Sequence, residues 1–174
     1  MTTPSSTAPL NSAPPPKPEL RHAFGRFATG IAIITSLDES GAPYGLTINS
    51  FASVSMTPPI ISWNVIRDSR AHAVIRQAGR FVVNILARDQ LLVAQRMTGP
   101  NELRFRDVSF RSSEHGLPIL DDTLATFECS VHDFVRAGDH DIVLGNVEDY
   151  AHQDGPPLVY WRGAYSTAQT LETA

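Results

Sequence analysis

Hydroxyl and amide side chains recur at alternate positions along Thr47-Ile48-Asn49-Ser50-Phe51-Ala52-Ser53-Val54-Ser55. Held extended, the segment puts Thr47, Asn49, Phe51, Ser53 and Ser55 on one face, and Ile48, Ala52, Val54 and Met56 mostly on the other. A polar, hydroxyl-rich face within a barrel suits a flat heteroaromatic ligand whose edges carry donors and acceptors. An exposed strand with its Ser and Thr turned outward is the alternative. A second candidate is Ser69, which precedes a helical pattern and stands between Arg67 and Arg70. The free N–H groups and the dipole at a helix start together bind phosphate, although Ser69 also suits an ordinary N-cap. The third is His140 in AGDHDIVLG, a rim residue after the Ala137-Gly138 turn. It is within reach of a ligand there, or simply solvated.

Other chemistries find no support. In an extended Asp139-His140-Asp141 the two carboxylates share one face and the imidazole takes the other, which is wrong for a metal. Of the 14 basic residues 13 are Arg, and the only Lys, Lys17, precedes the body of the chain. Schiff-base, pyridoxal and Walker-type chemistry all need a Lys in that body. The motifs GxGxxG, GxSxG and HExxH are absent. Cys129 is the single cysteine, which removes CxxC zinc and redox readings and suggests a buried small hydrophobe.

Charge is uneven behind a formal net of -4. Residues 67–111 carry nine Arg against four acids, whereas residues 114–174 carry two Arg against eleven acids. An Arg-rich middle in an acidic protein favours local phosphate capture or a solvated mixed-charge face over a nucleic-acid track. No apolar run approaches the roughly 20 residues of a membrane helix, and the first residues lack the regions of a signal peptide. No membrane partner and a cytoplasmic location are expected.

The elements that must position these residues follow from periodicity. Residues 1–18 hold six of the 13 Pro and read as a flexible tail, leaving 19–174 as one domain. Leu20, Ala23, Phe24, Phe27 and Ala28 predict a short amphipathic helix before Gly30. Strands are predicted over 31–37, 45–55, 60–66, 81–86, 124–135, 141–150 and 157–165. Helices are expected after Ser69, with Gly79 as the stop, and over about 89–98. Residues 101–122 read as a long loop, and Trp63 and Trp161 as core residues. About seven strands with only short helices predict a mainly β chain, a β-barrel rather than βαβ units.

In order and spacing, FATGIAIIT, GLTINSFASVSMTPPIIS, GRFVVNIL, FECSV, AGDHDIVLGNV and PLVYWRGAY resemble the flavin reductase family over about residues 20–166. That family supplies two-component monooxygenases and is built on the FMN-binding split β-barrel. The resemblance implies that Thr47, Asn49, Ser50 and the Ser53-Val54-Ser55 backbone line the isoalloxazine and ribityl portion of a flavin. It implies that Ser69, with Arg67 or Arg70, holds the flavin phosphate and that His72 reaches it too. Arg104-Phe105 matches the family's RF pair near the flavin. His140 matches its GDH histidine on the nicotinamide side, and Tyr165 its C-terminal aromatic.

The implied activity is an NAD(P)H:flavin oxidoreductase of the EC 1.5.1 type that hands reduced flavin to a separate monooxygenase component. FMN or FAD, and NADH or NADPH, remain alternatives, with Arg26 or Arg162 placed to meet a 2′-phosphate. A homodimer with the flavin near its interface is expected. A non-catalytic flavin-binding barrel and an FMN-dependent pyridoxamine-phosphate-type oxidase are the rival readings.

Overall fold

The run Ile31-Ala32-Ile33-Ile34-Thr35-Ser36 is apolar on both of its alternating faces, the pattern of a strand with no solvated side. The computed structural model, which describes residues 17–171, buries it on both sides. Ala32 and Ile34 enter a cluster with Trp63, Val65, Phe81 and Val143, while Ile31 and Ile33 enter a second with Leu86, Met97, Leu120 and Leu158. One strand thus serves two cores through its period of two.

In chain order the elements are helix α1 (Lys17–Phe24) and strands β1 (Thr29–Gly30), β2 (Ala32–Leu37), β3 (Pro43–Ile48), β4 (Ala52–Met56) and β5 (Pro59–Ile66). Helix α2 (Arg70–Ala78), strand β6 (Arg80–Ile85), a 3-10 turn at Arg88–Gln90, helix α3 (Leu91–Arg96) and helix α4 (Asn101–Arg104) follow. Strands β7 (Phe110–Ser112), β8 (Pro118–Leu120), β9 (Ala125–Ala137), β10 (His140–His152), β11 (Leu158–Trp161) and β12 (Ala164–Thr167) complete the chain. Seven strands form one antiparallel sheet in the order β3-β2-β6-β9-β10-β5-β4. Its two edges, β3 and β4, are consecutive in sequence and joined only by residues 49–51. The sheet therefore curls into a barrel that stays split between them, a mainly β split barrel with short helices.

Side-chain size fixes how tightly this barrel closes. Trp63 and Phe81 meet edge to face with ring centroids 5.6 Å apart, both fully buried. Opposite them Gly145 has no room for a side chain, because an added Cβ would stand 2.6 Å from Phe81 Cζ. Asn84 ties the layers together in the interior, donating to Ile33 O and Thr35 Oγ1 at 3.0 Å each and accepting from Leu120 N–H at 2.9 Å. Its polar atoms are thereby satisfied where water cannot reach.

The structure departs from the sequence expectations in several places. The predicted strand 45–55 is two strands, broken at 49–51 where the chain leaves one sheet edge for the other. That break removes the single alternating face expected from Thr47 to Ser55. The predicted strand 157–165 is the hairpin β11–β12, turning at Arg162 and Gly163, both with positive φ. The expected loop 101–122 holds α4, β7 and β8, elements of three or four residues that are too short to show a period. Trp161 is 44% exposed rather than core. The first helix starts at Lys17, inside the stretch read as a tail, and its apolar side is not covered: Phe24 and Phe27 are exposed. Residues 1–16 of the proposed tail lie outside the described residues.

Candidate functional site

Helix α2 begins where the chain leaves β5. Ser69 is its N-cap, in extended conformation, with its side chain accepting from the His72 N–H. Gly79 ends the helix in the left-handed region, a C-cap that any Cβ would strain. Ala71, Val74 and Ile75 bury one face in the main core, so the N-terminal turn is held at the split of the barrel.

There a cleft of about 860 Å³ opens. Its walls bring together Thr47 from β3, Asn49 and Ser50 from the crossing segment after it, Ser69 and Arg70 from the start of α2, Arg104 from α4, and His140 from the start of β10. These seven predicted residues come from segments spread from position 47 to position 140. Thr47 donates to Ala94 O at 2.7 Å, and Ser50 Oγ accepts from Asn64 N–H at 3.0 Å, which pins the crossing segment to β5.

Two guanidinium groups share one aromatic ring beside the cleft. The Cζ atoms of Arg70 and Arg104 lie 5.9 and 5.4 Å from the Tyr44 ring centroid. Arg104 also donates to Gly99 O and Gly45 O, at 3.0 and 2.5 Å, so its position is fixed by backbone. Arg70 reaches a half-buried Asp38 at 3.4 Å and is itself exposed at the side chain, open to an anion. His140 is 40% exposed at the side chain, with Nδ1 2.8 Å from Asp139 Oδ1.

Other predicted residues stand elsewhere. His72 does not line the cleft: its Nε2 lies 2.8 Å from Asp141 Oδ2, with the ring edge-on to Phe134. Arg67 is likewise drawn to Asp141, with Nε 3.3 Å from Oδ1. Arg76 Nε also reaches the same His72 Nε2 at 3.1 Å, so His72, Arg76 and Asp141 form one cluster. Burial pushes the Asp141 carboxyl up, but hydrogen bonds from His72 and Arg76 and the charges of His72 and Arg67 outweigh it and hold it below the ordinary value. Ser53, Val54 and Ser55 lie on the edge strand β4, away from the cleft within one chain. Phe105 packs in the second core, and Tyr165 packs edge to face on Tyr160 at 5.4 Å, its hydroxyl pKa raised by burial and by Tyr160.

Sequence reasoning missed Asn64, Asn101 and Phe24, which also line the cleft. Asn64 was visible as the polar position in the apolar strand IISWNVI. Asn101 Oδ1 is buried without a hydrogen-bond partner among the described residues. A buried acceptor left unmet beside a cleft fits a ligand that brings a donor, as a flavin edge does. The donor set as a whole, hydroxyls and amides on one wall and a helix start with the exposed Arg70 on another, suits a phosphorylated heteroaromatic. Among the described residues no group of three or more His, Cys, Asp or Glu could hold a metal ion, and no helix is long and apolar enough to cross a membrane. Cys129 is buried, its thiol pushed up to about 12 by burial and by Glu148 and Glu128, which leaves it an inert packing residue.

A second cavity of about 680 Å³ adjoins the first and shares Phe24 and Asn49 with it.

The chain is similar to the reductase component of a flavin-dependent trigonelline monooxygenase from Acinetobacter baylyi, 38% identical over 155 residues that make up 89% of this chain and 50% of that relative. It is 39% identical to the NADH-dependent FMN reductase SmoA of Agrobacterium fabrum, over 83% of this chain and 82% of that one. The chain thus spans about half the length of some curated relatives it matches and most of the length of others. Among solved structures, a homologue of nitrilotriacetate monooxygenase component B from Mycobacterium thermoresistibile superposes with a TM-score of 0.84 at 35% identity, covering 88% of this chain and 87% of that one. Residues 24–169, from the exposed Phe24 of the cleft to beyond the β12 hairpin strand, match the flavin reductase like domain, and the chain belongs to that family.

Proposed function

We propose that the protein is an NAD(P)H:flavin oxidoreductase, of the EC 1.5.1 type, that supplies reduced flavin to a separate monooxygenase component. The observation that carries the reading is the cleft itself. One wall offers the hydroxyls and amides of Thr47, Asn49 and Ser50, another the α2 start with Ser69 and an available Arg70, and His140 stands at its mouth. The relatives named as monooxygenase reductase components, and the NADH-dependent FMN reductase, support it.

Bound flavin, FMN or FAD, would supply the redox chemistry, accepting at N5 the hydride carried by nicotinamide C4. The protein's part is to hold and orient. Ser69 and Arg70 receive the flavin phosphate, and the N-terminal N–H groups of α2 add their dipole. Thr47, Asn49 and Ser50 fix the ring edge, and the unmet Asn101 oxygen takes a donor. His140 orients the nicotinamide beside that ring, and Phe24 covers the cleft from the α1 side. No acid–base dyad is required, because orientation and water exclusion lower the barrier to hydride transfer.

A homodimer belongs to the same proposal. Val54 and Met56 on the edge strand β4 and Ile66 at the end of β5 are exposed apolar side chains, and a second copy would cover them. Ser53, Val54 and Ser55 would then reach a flavin only across that interface. Steady-state oxidation of NADH or NADPH by flavin-stripped protein, with and without FMN, FAD or riboflavin, tests the activity. Fast oxidation only with flavin present is expected, and tight flavin binding without oxidation would leave a binding barrel.

A further inference from the structure

The turn between β2 and β3 carries a carboxylate that its own loop holds in place. Asp38 Oδ1 accepts from Ser40 N–H at 3.0 Å, Ser40 Oγ at 2.6 Å and Ala42 N–H at 3.1 Å, so one oxygen takes three donors. The second oxygen, Oδ2, lies 3.4 Å from Arg70 Nη2. Led by the Ser40 hydroxyl, the hydrogen bonds outweigh burial and hold the carboxyl below its ordinary value, so Asp38 is ionised at neutral pH. The Arg70 end of the pair is looser. Its side chain is 55% exposed against 17% for Asp38, and the contact is long beside the roughly 2.7–2.9 Å of a charge-assisted bond. Asp38, Tyr44, Arg70 and Arg104 line a small cavity of about 150 Å³, which shares the last three with the cleft. A held anion therefore stands beside the guanidinium that the α2 start offers to a phosphate.

We propose that Asp38 determines flavin affinity: its carboxylate competes with the flavin phosphate for Arg70 and keeps the flavin exchangeable. The inference rests on the flavin reductase reading, in which reduced flavin has to leave for another protein. A phosphate that takes Arg70 from Asp38 leaves that carboxylate ionised and held close by its turn. The two anions repel, and the phosphate is bound more weakly than the helix start and Arg70 alone would bind it. The effect grows with the charge on the phosphate. The monoester of FMN carries roughly two charges at neutral pH, each phosphorus of FAD about one, and riboflavin has no phosphate. Asp38 thus weakens FMN most, FAD less and riboflavin not at all.

The test is Asp38→Asn in the full chain, because Asn keeps an Oδ1 for the three turn donors and removes the charge. Glu102→Gln is the comparison, since Glu102 lines the same small cavity and forms no ion pair among the described residues. Fluorescence titration and stopped-flow displacement should show FMN bound about two- to fivefold more tightly by Asp38→Asn, the scale of a partly exposed ion pair. The gain should lie in a slower off-rate, with a smaller gain for FAD, none for riboflavin and a distinctly smaller one for FMN in Glu102→Gln. In an Arg70→Gln background the gain should shrink. Equal FMN affinity in wild type and Asp38→Asn overturns the proposal. So does a gain shared by riboflavin, which would come from the shape of the turn, or one matched by Glu102→Gln, which would come from net charge. A wild type that binds none of the three flavins brings down the parent reading as well, an outcome distinct from flavin binding that ignores Asp38.

Discussion

His72 Nε2 lies 2.8 Å from Asp141 Oδ2, and through that contact helix α2 is tied to the strand that begins one residue earlier, at His140. Arg76 and Arg67 reach the same carboxylate at 3.4 and 3.3 Å. The cluster therefore sets the α2 start and the His140 wall of the cleft relative to one another.

Asp141→Asn should loosen that registration. The sign of its pH effect follows from the lowered pKa of Asp141: the stabilisation is fully present above the unfolded value near 3.8 and is lost as pH falls through the lower folded value. Thermal melts across the acid range should show wild type losing stability in that window and the variant losing less there. Identical acid profiles would mean that the cluster is silent. At neutral pH the variant should bind flavin more weakly.

Arg70→Gln should weaken FMN binding by roughly ten- to a hundredfold, since a charge-assisted hydrogen bond to phosphate contributes roughly 1.5–3 kcal/mol. Riboflavin, which lacks the phosphate, should bind wild type and variant alike. Ser69→Ala should in addition cost about 1 kcal/mol of stability as a lost N-cap. Fluorescence titration of the two flavins checks the first pair of outcomes and denaturant melts the last.

His140→Ala should lower turnover by up to about a hundredfold, the order of loss when a reacting group is misplaced, with flavin affinity nearly intact. An equal loss of flavin affinity would assign His140 to the flavin instead.

Gly145→Ala should be destabilising by about 1–3 kcal/mol, the usual cost of overpacking a filled core. The added methyl would meet Phe81 Cζ at 2.6 Å and Cys129 Cβ at 3.2 Å, and both neighbours are buried. A melt unchanged from wild type would show that the barrel interior is looser than its geometry.

Much of this site was legible in the sequence, and the misses have physical causes. β2 was readable because its apolar run is continuous, and α2 because Ser69 and Gly79 mark both of its ends. Thr47, Asn49, Ser50, Ser69, Arg70 and His140, singled out by type and position, and Arg104, given by the resemblance, line one cleft. The break at 49–51 was not legible, since nothing local distinguishes a strand that continues from one that crosses between sheet edges. His72 was misassigned because its position on α2 fixes a direction only once Asp141 is known to face it. Phe24 has the spacing of an amphipathic helix face, yet stands exposed between two cavities, which spacing alone does not reveal.

The most direct measurement is anaerobic rapid mixing of the protein, loaded with one equivalent of flavin, against NADH or NADPH, following the flavin absorbance. The account predicts bleaching of the oxidised flavin at a rate far above that of the same nucleotides free in solution, slowed in His140→Ala. Flavin that stays oxidised on the protein with either nicotinamide would contradict it.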